Sequence, residues 1–247
     1  MLKKIKNYFR YSKLHFYILR FKNPSYLIFL QKEFDFYQTF LIRNKLIFDL
    51  GANLGDKSHI FLKFTDKIIL YEPEEDLFER LKFRFRKNNK VVLNNLLISD
   101  FVGDVVFNSV VGNEAYSSIV DNYIENFTHL KKSLVIKKIK KSSTLNFEIN
   151  KYGIPYYIKI DCEGAENLIL KNLKYDIEVI SFEANLPIFL NQTIEIINYL
   201  KNNFNRCFNI RKEGEFNFLF KSHLNSEEII ENLTYLKQPV EIFSFKK

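Results

Sequence analysis

Short apolar runs alternate along the chain with longer stretches whose apolar positions recur at helical spacing, the pattern of strands alternating with helices. An aromatic-rich helical stretch near Tyr26 to Arg43 leads into the first strand. Strands are predicted near 45–50, 67–72 and 90–97, with helices near 56–64 and 75–88 between them. Asp100-Phe-Val-Gly103 marks a turn, followed by a hairpin through Val105-Val106-Phe107 and Ser118-Ile119-Val120. A strand near 133–139 and a helix near 143–151 come next. The alternation resumes with a strand Tyr156–Asp161, a helix from Ala165, a strand Glu178–Glu183, and a helix that starts near Pro187 and runs to about Asn203. Cys207–Ile210 and Phe216–Phe220 flank Lys212-Glu213-Gly214 as a closing hairpin. The predicted class is α/β, a Rossmann-like fold with a mostly parallel sheet that ends in an antiparallel hairpin. Residues 1–44 form a basic helical extension and residues 45–247 the main domain.

The most informative run is Leu46-Ile-Phe-Asp-Leu-Gly-Ala-Asn-Leu-Gly55. It reads as a buried strand ending in an acid and turning through two glycines into a helix, at whose start Asp56 or Ser58 helps satisfy free amides. A second apolar strand, Ile68–Tyr71, delivers Glu72 to its carboxyl end, 23 residues after Asp49. Adjacent parallel strands, a glycine turn and a carboxylate at the second strand's tip make the crevice that holds an adenosine-containing ligand. A dinucleotide fingerprint requires glycine at the first, third and sixth positions; from Gly51 these are Gly51, Asn53 and Asp56. Asp56 sets a negative charge where a phosphate would meet the helix terminus, and no Gly-Lys-Ser/Thr follows. An acid at the strand end suits a cationic, phosphate-free ligand instead, and S-adenosylmethionine, with its ammonium and sulfonium, is one.

Composition narrows the picture. A chain of 247 residues with 47% hydrophobic content has room for one α/β domain with a full-sized core. The two cysteines, Cys162 and Cys207, lack metal-like spacing and argue for a reducing compartment; His15, His59, His129 and His223 are too scattered for a zinc site. The net charge of +8 is uneven: eight of the 37 basic residues precede Glu33 with no acid among them, which leaves 29 basic against 29 acidic. The body is neutral and the arm carries the whole excess. Leu2, Ile5, Phe9, Phe16 and Leu19 fall roughly on one helical face, so an interfacial helix on an anionic membrane and a helix packed on its own domain both fit. The segment is too charged to span a bilayer and lacks an uninterrupted signal-peptide core. The expected location is cytoplasmic, with peripheral contact at the inner membrane surface.

Parallel strand ends share one rim of the sheet, which brings Asp49, Glu72, Asp161 and Glu183 together. The turn Asp161-Cys-Glu-Gly-Ala-Glu166 is acidic beyond what a helix start requires, since Asp161 sits on an otherwise apolar strand. Taken in order, Asp49-Leu-Gly-Ala-Asn-Leu-Gly55 with Ser58, Tyr71-Glu-Pro73, Ser99-Asp100 with Gly103, and Lys159-Ile-Asp-Cys-Glu-Gly-Ala-Glu166 with Glu183 resemble the FkbM family of S-adenosylmethionine-dependent O-methyltransferases. One departure is Thr144-Leu-Asn146, where the family has Thr-Leu-Asp.

The resemblance implies a class I methyltransferase fold and a hydroxyl acceptor. It places Asp49, Gly51, Asn53, Gly55, Ser58, Glu72 and Asp100 at the cofactor: the glycines for close backbone approach, Asp49 and Asn53 near the amino-acid end, Glu72 on the ribose, Asp100 on the adenine amino group. Asp161, Glu163 and Glu183 are the candidate general bases, because clustered carboxylates raise one another's pKa. A Mg²⁺ held by Asp161 and Glu183 is the alternative; the metal-free base is preferred, and no residue is assigned to a metal. The expected acceptor is a sugar hydroxyl of a surface polysaccharide or glycolipid, with a small secondary metabolite or a non-catalytic nucleoside-binding module as runners-up. With a neutral body and no Asn-Pro-Pro-Tyr-type motif, no nucleic-acid partner is expected.

Overall fold

A computed structural model describes residues 24–112, 116–128 and 134–247; the amphipathic face predicted over residues 2–19 lies outside them. The chain runs α1 (Pro24–Gln38), β1 (Ile47–Leu50), α2 (Asp56–Phe61), β2 (Ile68–Tyr71), α3 (Glu75–Phe85) and β3 (Val91–Asn94). It continues through β4 (Leu97–Ser99), β5 (Gly103–Val110), α4 (Asp121–Thr128), β6 (Val135–Thr144), α5 (Leu145–Tyr152) and β7 (Tyr157–Ile160). The last elements are α6 (Glu166–Leu170), β8 (Val179–Ala184), α7 (Leu190–Phe204), β9 (Arg206–Lys212), α8 (Ser226–Leu233) and β10 (Val240–Lys246).

Seven strands form the main sheet in the order β3-β2-β1-β7-β8-β10-β9. β1, β2, β3, β7 and β8 are parallel, whereas β10 runs antiparallel to both β8 and β9. The central strands are continuous apolar runs because they are covered on both faces. Phe48, Leu50, Ile158, Ile160 and Phe182 pack on one side with Ile196 and Ile197 of α7. Ile47, Tyr157 and Phe243 pack on the other with Phe36 and Tyr37 of α1 and Phe61 of α2. β4, β6 and β5 form a separate three-stranded sheet beside the rim.

Three predicted elements differ. The strand expected over 90–97 is two strands in different sheets, because Asn94 and Asn95 interrupt the apolar run. Asn95 Nδ2 donates to the carbonyls of Glu72 and Pro73 at 2.8 and 3.2 Å, pinning the turn beside β2. β5 pairs with β6 rather than with 118–120, which meets β5 only through an isolated bridge between Asn108 and Ser118. Ser117 Oγ accepts from the Val110 amide and Ser118 Oγ donates to the Glu163 carbonyl, so side chains anchor this segment where a ladder was expected. The antiparallel end is present, but β9 takes β10 as its partner instead of 216–220. The alternation Phe216-Phe218-Phe220 imitates a strand, yet Phe218 is committed to the aromatic cluster of Phe36, Phe40 and Phe243.

Gly55, the residue before α2, has φ 75°. A Cβ there would lie 2.7 Å from Phe85 Cε2 and 2.8 Å from Leu81 Cδ2 of α3. The glycine lets α3 pack against the turn that follows β1. Gly55→Ala is expected to destabilise the fold by about 2–4 kcal/mol, combining left-handed strain with overpacking; a urea midpoint equal to that of the wild type would count against it.

Candidate active site

Connections leave β1 and β7 in opposite directions along the sheet, which opens a crevice beyond their carboxyl ends. The two loops touch at one point. Gly51 has φ 76°, and a Cβ on it would sit 1.8 Å from the Asp161 carbonyl oxygen, so only glycine lets these loops meet. The amides of Gly51 and Ala52 both donate to the Tyr71 carbonyl, tying the turn to the neighbouring strand.

The resulting cleft, of about 620 Å³ including its mouth, is lined by Gly51, Asn53, Glu72, Asp161 and Glu163, with Leu77, Leu97, Ile98 and Phe107 forming an apolar end. Glu72 is held from behind: the Asn53 amide donates to Oε2 at 2.8 Å and the Glu74 amide to Oε1 at 2.9 Å. Burial pushes its carboxyl up to about 7 against the opposing pull of those two amides. Both oxygens keep lone pairs for further donors.

Asp49 lies beneath the cleft, 1% exposed. Ser58 Oγ donates to its Oδ2 at 2.5 Å, while Oδ1 has no hydrogen-bond partner among the described residues; Lys159 Nζ stands 4.0 Å away. Burial raises the Asp49 carboxyl, with Lys159 and the Ser58 hydroxyl pulling it down. Lys159 is 2.9 Å from Asp161 Oδ2. Burial works against its charge, but the carboxylates of Asp161 and Asp49 outweigh that, and its pKa is raised.

In the acidic turn, Glu163 adopts φ 53° and accepts a hydrogen bond from the Tyr123 hydroxyl. Its carboxyl is pushed well above the usual range by burial, then by Glu183, Glu166 and Glu72. Glu166 accepts from the Cys162 amide at 2.8 Å, and burial lifts it to about 7. Asn185 Nδ2 donates to Glu183 Oε2 at 2.7 Å; burial raises Glu183 well above the usual range, followed by repulsion from Asp161 and Glu166.

Glu183 opens onto a second cleft, of about 1030 Å³ including its mouth, on the α1 side of the sheet. Lys57, Lys159, Asp161, Arg211 and Glu241 line it with Glu183. Asp161 belongs to both clefts.

Of the predicted cofactor residues, Gly51, Asn53 and Glu72 line the first cleft. Asp49 and Ser58 form a hydrogen-bonded pair under it, and Gly55 serves helix packing. Asp100 does not reach the cleft: it is exposed and ion-paired with Lys171 at 3.3 Å, because β4 leaves the main sheet before delivering it. Of the predicted bases, Glu163 faces the first cleft, Glu183 the second, and Asp161 their junction. Sequence reasoning passed over Lys159, whose signal was a lone lysine inside the apolar strand β7, and Tyr123, which gave none. Among the described residues, no group of three or more His, Cys, Asp or Glu side chains is arranged to hold a metal ion.

The first cleft fits S-adenosylmethionine on two observations. The orphaned Asp49 oxygen calls for positive charge or a donor, and Glu72 presents a preset carboxylate for paired hydroxyls. Asp56 in the first turn of α2 disfavours phosphate there. Sheet order and cleft together define a Rossmann-like class I methyltransferase. The family described as Methyltransferase FkbM domain matches residues 49–207, well over half of the chain. The chain belongs to the FkbM methyltransferase family and is an S-adenosylmethionine-dependent methyltransferase. No curated protein matches it significantly. Solved structures similar to it include a precorrin-6y methyltransferase from Geobacter metallireducens, at 13% identity over 90% of this chain and 86% of that one, with a TM-score of 0.43. Another is an rRNA methylase from Streptococcus thermophilus, at 9% identity over 86% of this chain and 93% of that one, with a TM-score of 0.41.

Glu72 and Glu166 are raised in the folded state to about 7 from an ordinary value of 4.5. A raised acid contributes stability that is complete below its unfolded pKa and is lost as pH climbs through the folded one. The cofactor-free protein should therefore melt about 5–10 °C lower at pH 8 than at pH 5.5, and Glu166→Gln should flatten that slope. Scanning calorimetry across this window checks both; a melting point that rises towards pH 8 would contradict the assignment.

Proposed function

We propose that the chain is an O-methyltransferase whose acceptor is a sugar hydroxyl of a surface polysaccharide or glycolipid. The observation that carries this reading is the shared wall at Asp161: a nucleoside-sized cleft and a cleft with charged side chains in its wall have that residue in common, with Glu183 on the second side. Glu72 holds the ribose and the Asp49–Ser58 pair faces the amino-acid end. When bound, S-adenosylmethionine supplies an electrophilic methyl group on a sulfonium. A sugar hydroxyl is a weak nucleophile, and Glu183 takes its proton as the oxygen attacks. Its burial and the negative charge of Asp161 and Glu166 make it a stronger base than a solvated carboxylate. Asp161, fixed by Lys159, orients the acceptor at the junction.

The division into an extension over 1–44 and a methyltransferase domain over 45–247 gives the extension two tasks. α1 walls the second cleft through Phe29 and Glu33, and the basic run before Glu33 meets the anionic membrane surface on which lipid-linked glycans are assembled. Among the described residues, no helix is long and apolar enough to cross a membrane.

The test incubates full-length protein and S-adenosylmethionine with envelope glycans and looks for methyl ethers by mass spectrometry. Methyl transfer to RNA or protein, with glycans untouched, would overturn the sugar reading. Glu183→Gln should lower turnover by about 10²–10⁴-fold with cofactor affinity nearly unchanged; wild-type turnover would remove it as the base. Glu72→Ala should weaken cofactor binding by about 1.5–3 kcal/mol in titration calorimetry.

A further inference from the structure

The second cleft is built largely from outside the family-matched segment, which ends at residue 207. Glu33 comes from α1, Arg211 from β9 and Glu241 from the start of β10. Arg211 donates to both oxygens of Glu33 and to the Glu215 carbonyl, and its guanidinium stacks 4.5 Å from the Phe36 ring. Lys57 Nζ lies 2.6 Å from the same Glu33, and Lys159 is taken by Asp161. Lys212 also lines the cleft but stands opposite Val240 on the alternate face of its strand, and the cations on the Glu183 face, Lys57, Lys159 and Arg211, are thus already paired at short range.

Glu241 is not. Among the described residues its ion-pair partner is Arg211, as far off as 3.9 Å, and its buried Oε1 has no hydrogen-bond partner. In the sheet it stands directly opposite Glu183 on one side and Arg211 on the other, so all three side chains emerge on the same face. Two carboxylates set across a strand pair repel each other, and neutral donors placed between them relieve that cost. An anionic acceptor would meet both carboxylates while the cations on their face, Lys57, Lys159 and Arg211, are already engaged. A cationic one would face Lys57, Lys159 and Arg211 and would compete for the carboxylate that must accept a proton. A neutral polyol has neither difficulty.

Resting on the reading of Glu183 as base, we infer that Glu241 is an acceptor-binding residue that selects a neutral sugar presenting two neighbouring hydroxyls, one to Glu183 and the other to Glu241. Acceptor choice then resides in the flanks, α1 and β9–β10, while the matched segment supplies the cofactor site and the chemistry.

Full-length protein saturated with S-adenosylhomocysteine is presented with methyl glycosides of neutral hexoses and followed by saturation-transfer NMR. At least one glycoside should bind the wild type, and Glu241→Gln should weaken it about tenfold or more, with S-adenosylhomocysteine affinity and melting point unchanged. Glu241→Asp, which keeps the charge but draws it back, should fall between. If a glycoside binds Glu241→Gln as well as wild type, the role of Glu241 is overturned and the sugar reading stands. If an amino sugar or a uronic acid is preferred, the neutral selectivity is overturned and the sugar reading stands; if no glycoside binds the wild type, the inference falls together with that reading.

Discussion

The close contact between Gly51 and the Asp161 carbonyl is the constraint on which the site depends. It brings the turn after β1 against the turn after β7 at the point where the chain departs to opposite sides of the sheet. On one side of this contact Asn53 reaches across to hold Glu72; on the other Lys159 reaches up to hold Asp161. A side chain at residue 51 would overlap the Asp161 carbonyl and push the two turns apart.

Around that contact the protein tolerates an unusual density of buried negative charge. Asp49, Glu72, Glu163, Glu166 and Glu183 all have raised pKa values, with burial the largest cause in each. Lys159, on β7, opposes the rise at Asp49 and Glu183. Such an arrangement is costly without ligand and improves when a cation or hydroxyl donors arrive. The strain is therefore concentrated where binding relieves it.

Much of this was legible from the sequence because the signals were local. An apolar run ending in an acid and a glycine fixes both the strand and the position of its carboxylate, as at Asp49-Leu-Gly51 and Ile160-Asp161. Legibility failed where pairing was distant. β5 and β6 are separated by a long excursion, and β10 joins β9 only after α8, so aromatic alternation at 216–220 pointed to the wrong partner. Asp100 was misplaced for a related reason: a sequence run shows where a strand ends but not which sheet it has joined. The second cleft was invisible because Glu33, Arg211 and Glu241 are unremarkable alone and acquire meaning only as neighbours.

The position of β10 bears on how the chain reaches its native state. It follows β9 in sequence yet lies between β8 and β9 in the sheet. As the chain emerges from the ribosome, β9 has no strand to join until β10 has been made, and the edge of β8 stays open meanwhile. The cofactor half can assemble early, whereas the far half must wait. A nascent chain halted before β10 would expose that edge and the phenylalanine-rich face beside it, making it a natural client for chaperones and proteases.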